Sequence, residues 1–209
     1  MKNYKAIIYD IDGTLLDTLK MNMIPLQRII KEELNKEWSY EEVLKFVAYP
    51  GMKTMEELNI SNKEEVYDRW VKYVNEYEEG ASLYENMDIV LKSFEGKFRQ
   101  AIVSSKMKKQ YEIDCVSKGL DKYMEVVVLA DDTKNHKPHP EPINKCIELL
   151  GISKDEAIYI GDTFYDYQAS KNAEIDFGYA KWGSVSDKGI IDSEYTFETP
   201  LDLLNLLNL

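Results

Sequence analysis

The chain has 209 residues, 44% hydrophobic and 31% charged, which suits one ordinary domain, or a domain with a smaller insert, around a buried core. A formal net charge of -12 argues against nonspecific nucleic-acid binding, which needs Lys and Arg to displace counterions, and against attraction to anionic membranes. No run approaches the roughly 18 apolar residues of a spanning helix, no basic-then-apolar signal segment opens the chain, and Cys115 and Cys146 lack CxxC spacing, so buried thiols in a reducing cytoplasm are expected.

The first predicted element is a short apolar strand, Ala6 to Tyr9. It runs into Asp10, Ile11, Asp12, Gly13 and Thr14, where a turn signal follows two carboxylates one residue apart. In an extended segment both carboxylates point to one side. Buried there, they are costly unless a cation or hydrogen bonds satisfy them.

Residues 18–80 read as all-helical. Thr18 to Asn35 carries apolar residues at helical spacing, with Pro25 expected to kink the helix or mark its start. Ser39 with Glu42 and Ser61 with Glu64 have capping-box spacing and are expected to open two further helices. Between them, Tyr49 to Thr54 reads as a loop, and Lys53 and Thr54 in it are candidates for contact with a substrate. Gly51 to Thr54 has only the tail of a nucleotide-binding P-loop and lacks its glycine spacing. Trp38, Trp70, Tyr73 and Tyr77 are expected to form the core of this insert.

From Ala81 onward helices and strands alternate. Helices are expected at 87–95, 108–118, 141–150 and 164–172, strands at 99–104, 124–130, 157–160 and 176–180, and a leucine-rich helix from Leu201. Alternation of this kind predicts an α/β fold, a Rossmann-like, doubly wound parallel sheet covered on both faces, with ligands beyond the carboxyl ends of the strands. The expected organisation is a core of residues 1–16 and 81–209 with an α-helical cap, residues 17–80, inserted after the first strand.

Polar groups recur at those strand ends: Asp10 and Asp12, Ser104 and Ser105, Lys137, then Asp162 and Asp166. Singly each has a plain reading as a cap, a turn or a solvated charge. Together, acids, hydroxyls and a lysine at one sheet edge suit a divalent cation with oxygen ligands and a phosphoryl group whose oxygens need donors. Gly13 in the turn, Ser104 and Lys137 are the expected donors. His136 and His139 flank Lys137-Pro138, but neighbouring prolines favour an extended loop and Mg²⁺ prefers oxygen, so a histidine metal site is not expected.

Asp10-x-Asp12-Gly13-Thr14, a strand-terminal Ser104, Lys137-Pro138 and Gly161-Asp162-x-x-x-Asp166, in this order, resemble the haloacid dehalogenase superfamily of phosphohydrolases over essentially the whole chain. An insert directly after the first motif resembles the helical C1-type cap, and the segments around Lys137 and Asp162 are similar to the phosphoglycolate phosphatase-like subgroup. The resemblance implies Asp10 as nucleophile and metal ligand. It implies Asp12 as general acid/base, its carbonyl also on the metal, and Ser104 as a phosphoryl hydrogen-bond donor. Lys137 is the implied counter-charge, Asp162 the further Mg²⁺ ligand, and Asp166 is implied to bind a metal-bound water or orient its neighbours. Ser105 stands where many relatives carry Asn, which leaves its phosphate contact open. The expected activity is Mg²⁺-dependent hydrolysis of a small phosphorylated metabolite through an aspartyl-phosphate. A phosphosugar mutase, an inorganic pyrophosphatase and a weakly active binding protein are the alternatives.

Overall fold

The computed structural model describes residues 2–208. Chain contacts divide it into two compact units: one runs through Leu16 and resumes at Leu83, the other is Asp17–Ser82.

The first unit is built on strands β1 (Ala6–Tyr9), β4 (Arg99–Val103), β5 (Val126–Val128), β6 (Ala157–Gly161), β7 (Asp176–Ala180) and β8 (Tyr195–Phe197). Two short strands, β2 (Leu16–Asp17) and β3 (Ser82–Leu83), pair with each other where the chain passes between the units. The main sheet has the order β5-β4-β1-β6-β7-β8, and every neighbouring pair is parallel. Helices α5 (Met87–Phe94), α6 (Lys108–Asp114), α7 (Glu141–Leu150) and α8 (Phe164–Ala173) connect the strands. This is the expected Rossmann-like fold.

Strand alternation sorts the core. Ala6 and Ile8 share one face with Ala101, Val103, Val128, Ala157 and Tyr159, and pack with Ile143, Cys146, Ile147 and Leu150 of α7 and Ala169 and Ala173 of α8. Asp10, next on that face beyond β1, therefore points toward the α7–α8 side. Each large side chain so buried contributes roughly 1.5–3 kcal/mol. Helix α7 spans the predicted residues, stopped by Gly151 in the left-handed region. The face expected of α5, Met87, Val90, Leu91 and Phe94, is buried.

Some expectations change. The segment after Ala180 contains β8, a short edge strand whose interior Thr196 and flanking charges gave no apolar signal. The final leucine-rich segment is a 3-10 helix, Pro200–Asn208, with Pro200, Leu203 and Leu206 buried. Apolar residues three apart line one edge of a helix with three residues per turn.

The second unit holds α1 (Leu19–Leu34), α2 (Tyr40–Val43), α3 (Gly51–Glu57) and α4 (Lys63–Asn75). Pro25 is buried inside α1 and does not mark its start. The Ser39–Glu42 capping box forms, but Ser61–Glu64 does not: α4 starts after Asn62 with no side-chain cap. The expected loop at Lys53 and Thr54 is helix α3. Thr54 is fully buried, with its hydroxyl donating to the Pro50 carbonyl at 3.3 Å, and Lys53 Nζ lies 4.7 Å from the Tyr49 ring centroid. Thr54 is thus used inside this unit rather than presented to a ligand. Trp70 is buried and donates from Nε1 to the Asn22 carbonyl at 3.0 Å, while Tyr73 sits against Arg28 and Glu32. No helix among the described residues is long and apolar enough to cross a membrane.

Candidate active site

Register gathers the predicted groups. Tyr9 pairs with Ile102 on one side and Ile160 on the other, so Asp10, Ser104 and Asp162 emerge at one carboxyl edge of three adjacent strands. Lys137 arrives from the loop before α7 and Asp166 from the first turn of α8, the two helices on the Asp10 face.

Carboxylate oxygens of Asp10, Asp162 and Asp166 lie within 4.8 Å of one another, and all three residues are buried. Lys137 Nζ stands 3.0 Å from Asp10 Oδ1 and 2.5 Å from Asp166 Oδ1. Burial pushes the Asp10 carboxyl up to about 6, with Lys137 opposing and Asp166 and Asp12 adding to the rise. Asp162 is driven well above the usual carboxylate range by burial and by repulsion from Asp166 and Asp10, against a hydrogen bond from the Thr14 hydroxyl at 3.1 Å. Burial works against the Lys137 charge, but Asp10 and Asp166 outweigh it and hold it as an ammonium. The cluster is therefore rich in negative charge with one internal cation.

Asp166 does two jobs. Its Oδ2 accepts from the Thr163 N–H at 3.0 Å in a capping box that starts α8, while Oδ1 meets Lys137 and the Tyr159 hydroxyl, the latter at 3.0 Å. Tyr159 is fully buried on β6, and its hydroxyl also accepts from Lys137 at 3.0 Å. Sequence reasoning missed Tyr159. Inside an apolar strand a tyrosine reads as core, and only the register places its hydroxyl at the lysine.

The turn after β1 is tightly closed. Leu16 N–H and Leu15 N–H both donate to the Ile11 carbonyl, and Gly13 N–H donates to the Leu16 carbonyl at 2.9 Å. Two expectations change as a result. Gly13 N–H is engaged within the turn and is not the phosphate donor anticipated for it. Gly13 matters sterically instead: its φ is +79°, and a Cβ there would run into the Asp162 carboxylate. The strand alternation also ends at Asp10, so the same-side argument does not carry to Asp12. The Asp12 carboxylate lies outside the three-acid cluster and pairs with Lys106 Nζ at 3.0 Å.

Ser104 is buried at the end of β4, with Oγ accepting from the Lys106 N–H at 3.3 Å, which leaves its hydroxyl proton for another acceptor. Ser105 follows, half-buried. Trp182 donates from Nε1 to the Thr14 carbonyl at 3.0 Å. A Cβ at neighbouring Gly183 would collide with the Gly13 carbonyl and the Tyr84 hydroxyl, so this segment braces the turn. His136 and His139 are exposed and outside the acidic cluster. Cys115 and Cys146 are buried free thiols, as expected.

The donor set fits a hard divalent cation. It offers oxygen ligands only, in a buried group. Asp10 Oδ1 is buried, and Lys137 Nζ at 3.0 Å faces it as an ion pair without a directed hydrogen bond, so three gathered carboxylates have one cation among them. Asp10 and Asp162 are the side chains that would hold the ion, with Asp166 behind them.

The family model for haloacid dehalogenase-like hydrolases matches residues 7–180. A protein named pyrophosphatase PpaX from Listeria welshimeri is 30% identical, covering 97% of this chain and 95% of its own length. The PpaX of Bacillus velezensis is 27% identical over 98% of this chain and 97% of its own. Among solved structures, a Lactobacillus plantarum protein described as a "putative phosphoglycolate phosphatase" superposes with a TM-score of 0.90 at 26% identity, covering 98% of this chain and 99% of its own.

Proposed function

Because the chain belongs to the haloacid dehalogenase-like hydrolases, we propose that it is a Mg²⁺-dependent phosphatase working through an aspartyl-phosphate on Asp10. The observation that carries this reading is the buried group of Asp10, Asp162 and Asp166 around Lys137, with Asp10 Oδ1 lacking a directed hydrogen bond.

In the proposed first step an Asp10 oxygen bonds to phosphorus as the bond to the leaving oxygen breaks, and Asp12 gives that oxygen a proton. In the second, Asp12 takes a proton from water, whose oxygen attacks the same phosphorus as its bond to the Asp10 oxygen breaks, releasing phosphate and restoring the Asp10 carboxylate. Ser104 donates its hydroxyl proton to a phosphoryl oxygen, and the Lys137 ammonium balances negative charge between Asp10 and the phosphoryl group. Bound at Asp10 and Asp162, Mg²⁺ supplies the positive charge that lets two anionic groups approach. The helical unit is read as the cap that selects the substrate, and a cytoplasmic setting goes with the two free thiols.

Curated relatives aligned over nearly the whole chain share the name pyrophosphatase, which favours inorganic pyrophosphate as substrate over the small phosphomonoester anticipated from the sequence. The solved structure described as a phosphoglycolate phosphatase supports that phosphomonoester as the second reading. A panel of pyrophosphate, phosphoglycolate, sugar phosphates and nucleotides, with and without Mg²⁺, decides between them. Pyrophosphate is expected to turn over fastest and only with the metal. Faster release from phosphoglycolate moves the assignment to the second reading, a rearranged sugar phosphate points to the mutase, and a folded protein inert to every substrate overturns the proposal.

Metal and pH are expected to act together on stability. The folded-state pKa of Asp10 is raised above its ordinary value of 3.8 to about 6, so between these pH values the native state holds more protons than the unfolded one. Stability in the metal-free protein should therefore fall as pH rises from about 4 through about 6. Above that window the ionised carboxylates repel, and Mg²⁺ relieves the repulsion; below it protons compete with the ion. Thermal melts with EDTA or Mg²⁺ should show a clear Mg²⁺ stabilisation at pH 8 that shrinks at pH 5. An equal Mg²⁺ effect at both values would contradict this.

A further inference from the structure

Beside the three-acid cluster lies a second buried ionic group that the proposed chemistry does not use. Lys106, in the turn after β4, has a side chain only 6% exposed. Its Nζ lies 3.0 Å from Asp12 Oδ1 and 2.7 Å from Asp114 Oδ2. Asp114 closes α6 and is itself buried, and its other oxygen accepts from Gln110 Nε2 at 3.0 Å. The order is Gln110, Asp114, Lys106, Asp12, each anchored by the one before.

Burying a lysine and an aspartate is costly even when they are paired. For folding alone, an apolar pair of similar volume at this strand end would serve as well. The pair does something an apolar one cannot. Asp12 sits on a turn, beyond the strand whose pleat would orient it, and its side chain is 37% exposed. Its Oδ1 is nevertheless buried in an ion pair with Lys106, without a directed hydrogen bond, which leaves Oδ2 as the oxygen presented for proton exchange. Lys106 N–H also donates to Ser104 Oγ, so one residue ties the Asp12 carboxylate to the phosphoryl-binding hydroxyl.

We propose that Lys106, anchored by Asp114, is a positioning residue that holds the Asp12 carboxylate in place for proton transfer. The proposal rests on the reading of Asp12 as the proton donor and acceptor. Holding a catalytic group within a fraction of an ångström matters, since misplacement by 1 Å can cost about a hundredfold in rate.

The test is steady-state kinetics with Mg²⁺ on pyrophosphate and p-nitrophenyl phosphate for Lys106→Met, Lys106→Arg, Asp114→Asn and Asp12→Asn, with melting temperatures as the folding control. Lys106→Met should lower kcat about tenfold to a hundredfold, the scale of that misplacement, while KM changes less than about twofold. Lys106→Arg should recover part of the loss, and Asp114→Asn should lower kcat in the same direction without adding to Lys106→Met. Asp12→Asn should cost more, roughly 10²- to 10⁴-fold, and adding Lys106→Met or Asp114→Asn to it should change nothing further. A raised KM at unchanged kcat would make Lys106 a phosphate-binding cation and overturn the proposal. A further loss in the Asp12→Asn background would overturn it too. If Lys106→Met fails to fold, Asp114→Asn with and without Asp12→Asn separates the same outcomes. Full activity in Asp12→Asn alone, or a wild-type protein inert to both substrates, would instead remove the reading on which the proposal stands.

Discussion

Asp10→Asn should lose turnover by about 10⁴-fold or more, the scale on which removal of a nucleophile acts, while the metal-free protein melts no lower than wild type at pH 8. The two halves of this expectation have one cause. Asn fills the same space but cannot form the bond to phosphorus. It also removes one of the negative charges gathered around Lys137, and burial and neighbouring acids already push the Asp10 carboxyl up to about 6. Lys137 keeps Asp166 as its partner, 2.5 Å away, so no buried charge is stranded. Loss of activity without loss of stability is the mark of a group that is strained for its function. Phosphate release across the substrate panel, together with thermal melts in EDTA, measures both. An Asp10→Asn protein that still turns over substrate, with contamination excluded, removes Asp10 from the chemistry.

Lys137→Met should be the most damaging single change to the fold of the site. Lys137 balances Asp10 and Asp166 and donates to the Tyr159 hydroxyl. Taking it away leaves those carboxylates buried without their cation, and breaking a buried pair from one side costs about 3–5 kcal/mol. In a chain of this length each kcal/mol lowers Tm by roughly 2–4 °C, so a fall on the order of 10 °C is expected at pH 8. The deficit should shrink at pH 5, because Asp10, with its pKa near 6, can then neutralise itself by taking up a proton. Adding Asp10→Asn to Lys137→Met should recover part of the stability at pH 8 by the same logic. Denaturant or thermal unfolding at the two pH values checks this. A deficit that does not depend on pH would mean that Lys137 matters for packing rather than for charge. Turnover should be lost with Lys137→Met alone.

The polar positions gathered at the strand ends and the class of fold were legible in the order of residues. Apolar runs ending in Asp10, Ser104 and Asp162, alternating with amphipathic helices, suffice to predict a parallel sheet with its polar groups at one edge. This information is local: a strand's length, a helix's apolar face and the Gly151 stop lie within a few neighbouring residues, and the observed α5, α7 and β7 follow them closely. What escaped depends on partners far along the chain. The edge strand Tyr195–Phe197 exists because β7 offers it a partner. Gly13 looked like a phosphate donor until the turn closed its N–H onto Leu16. Thr54 looked like a loop residue until α3 buried it. The opening pair of carboxylates divided in the same way. A pleat that stops at Asp10 sends that side chain to Lys137 and Asp166, and the turn gives Asp12 to Lys106. The pairing of Asp12 with Lys106 emerged only in the folded chain, because an ion pair needs two groups within about 4 Å, and residues far apart in sequence come that close only through the tertiary fold.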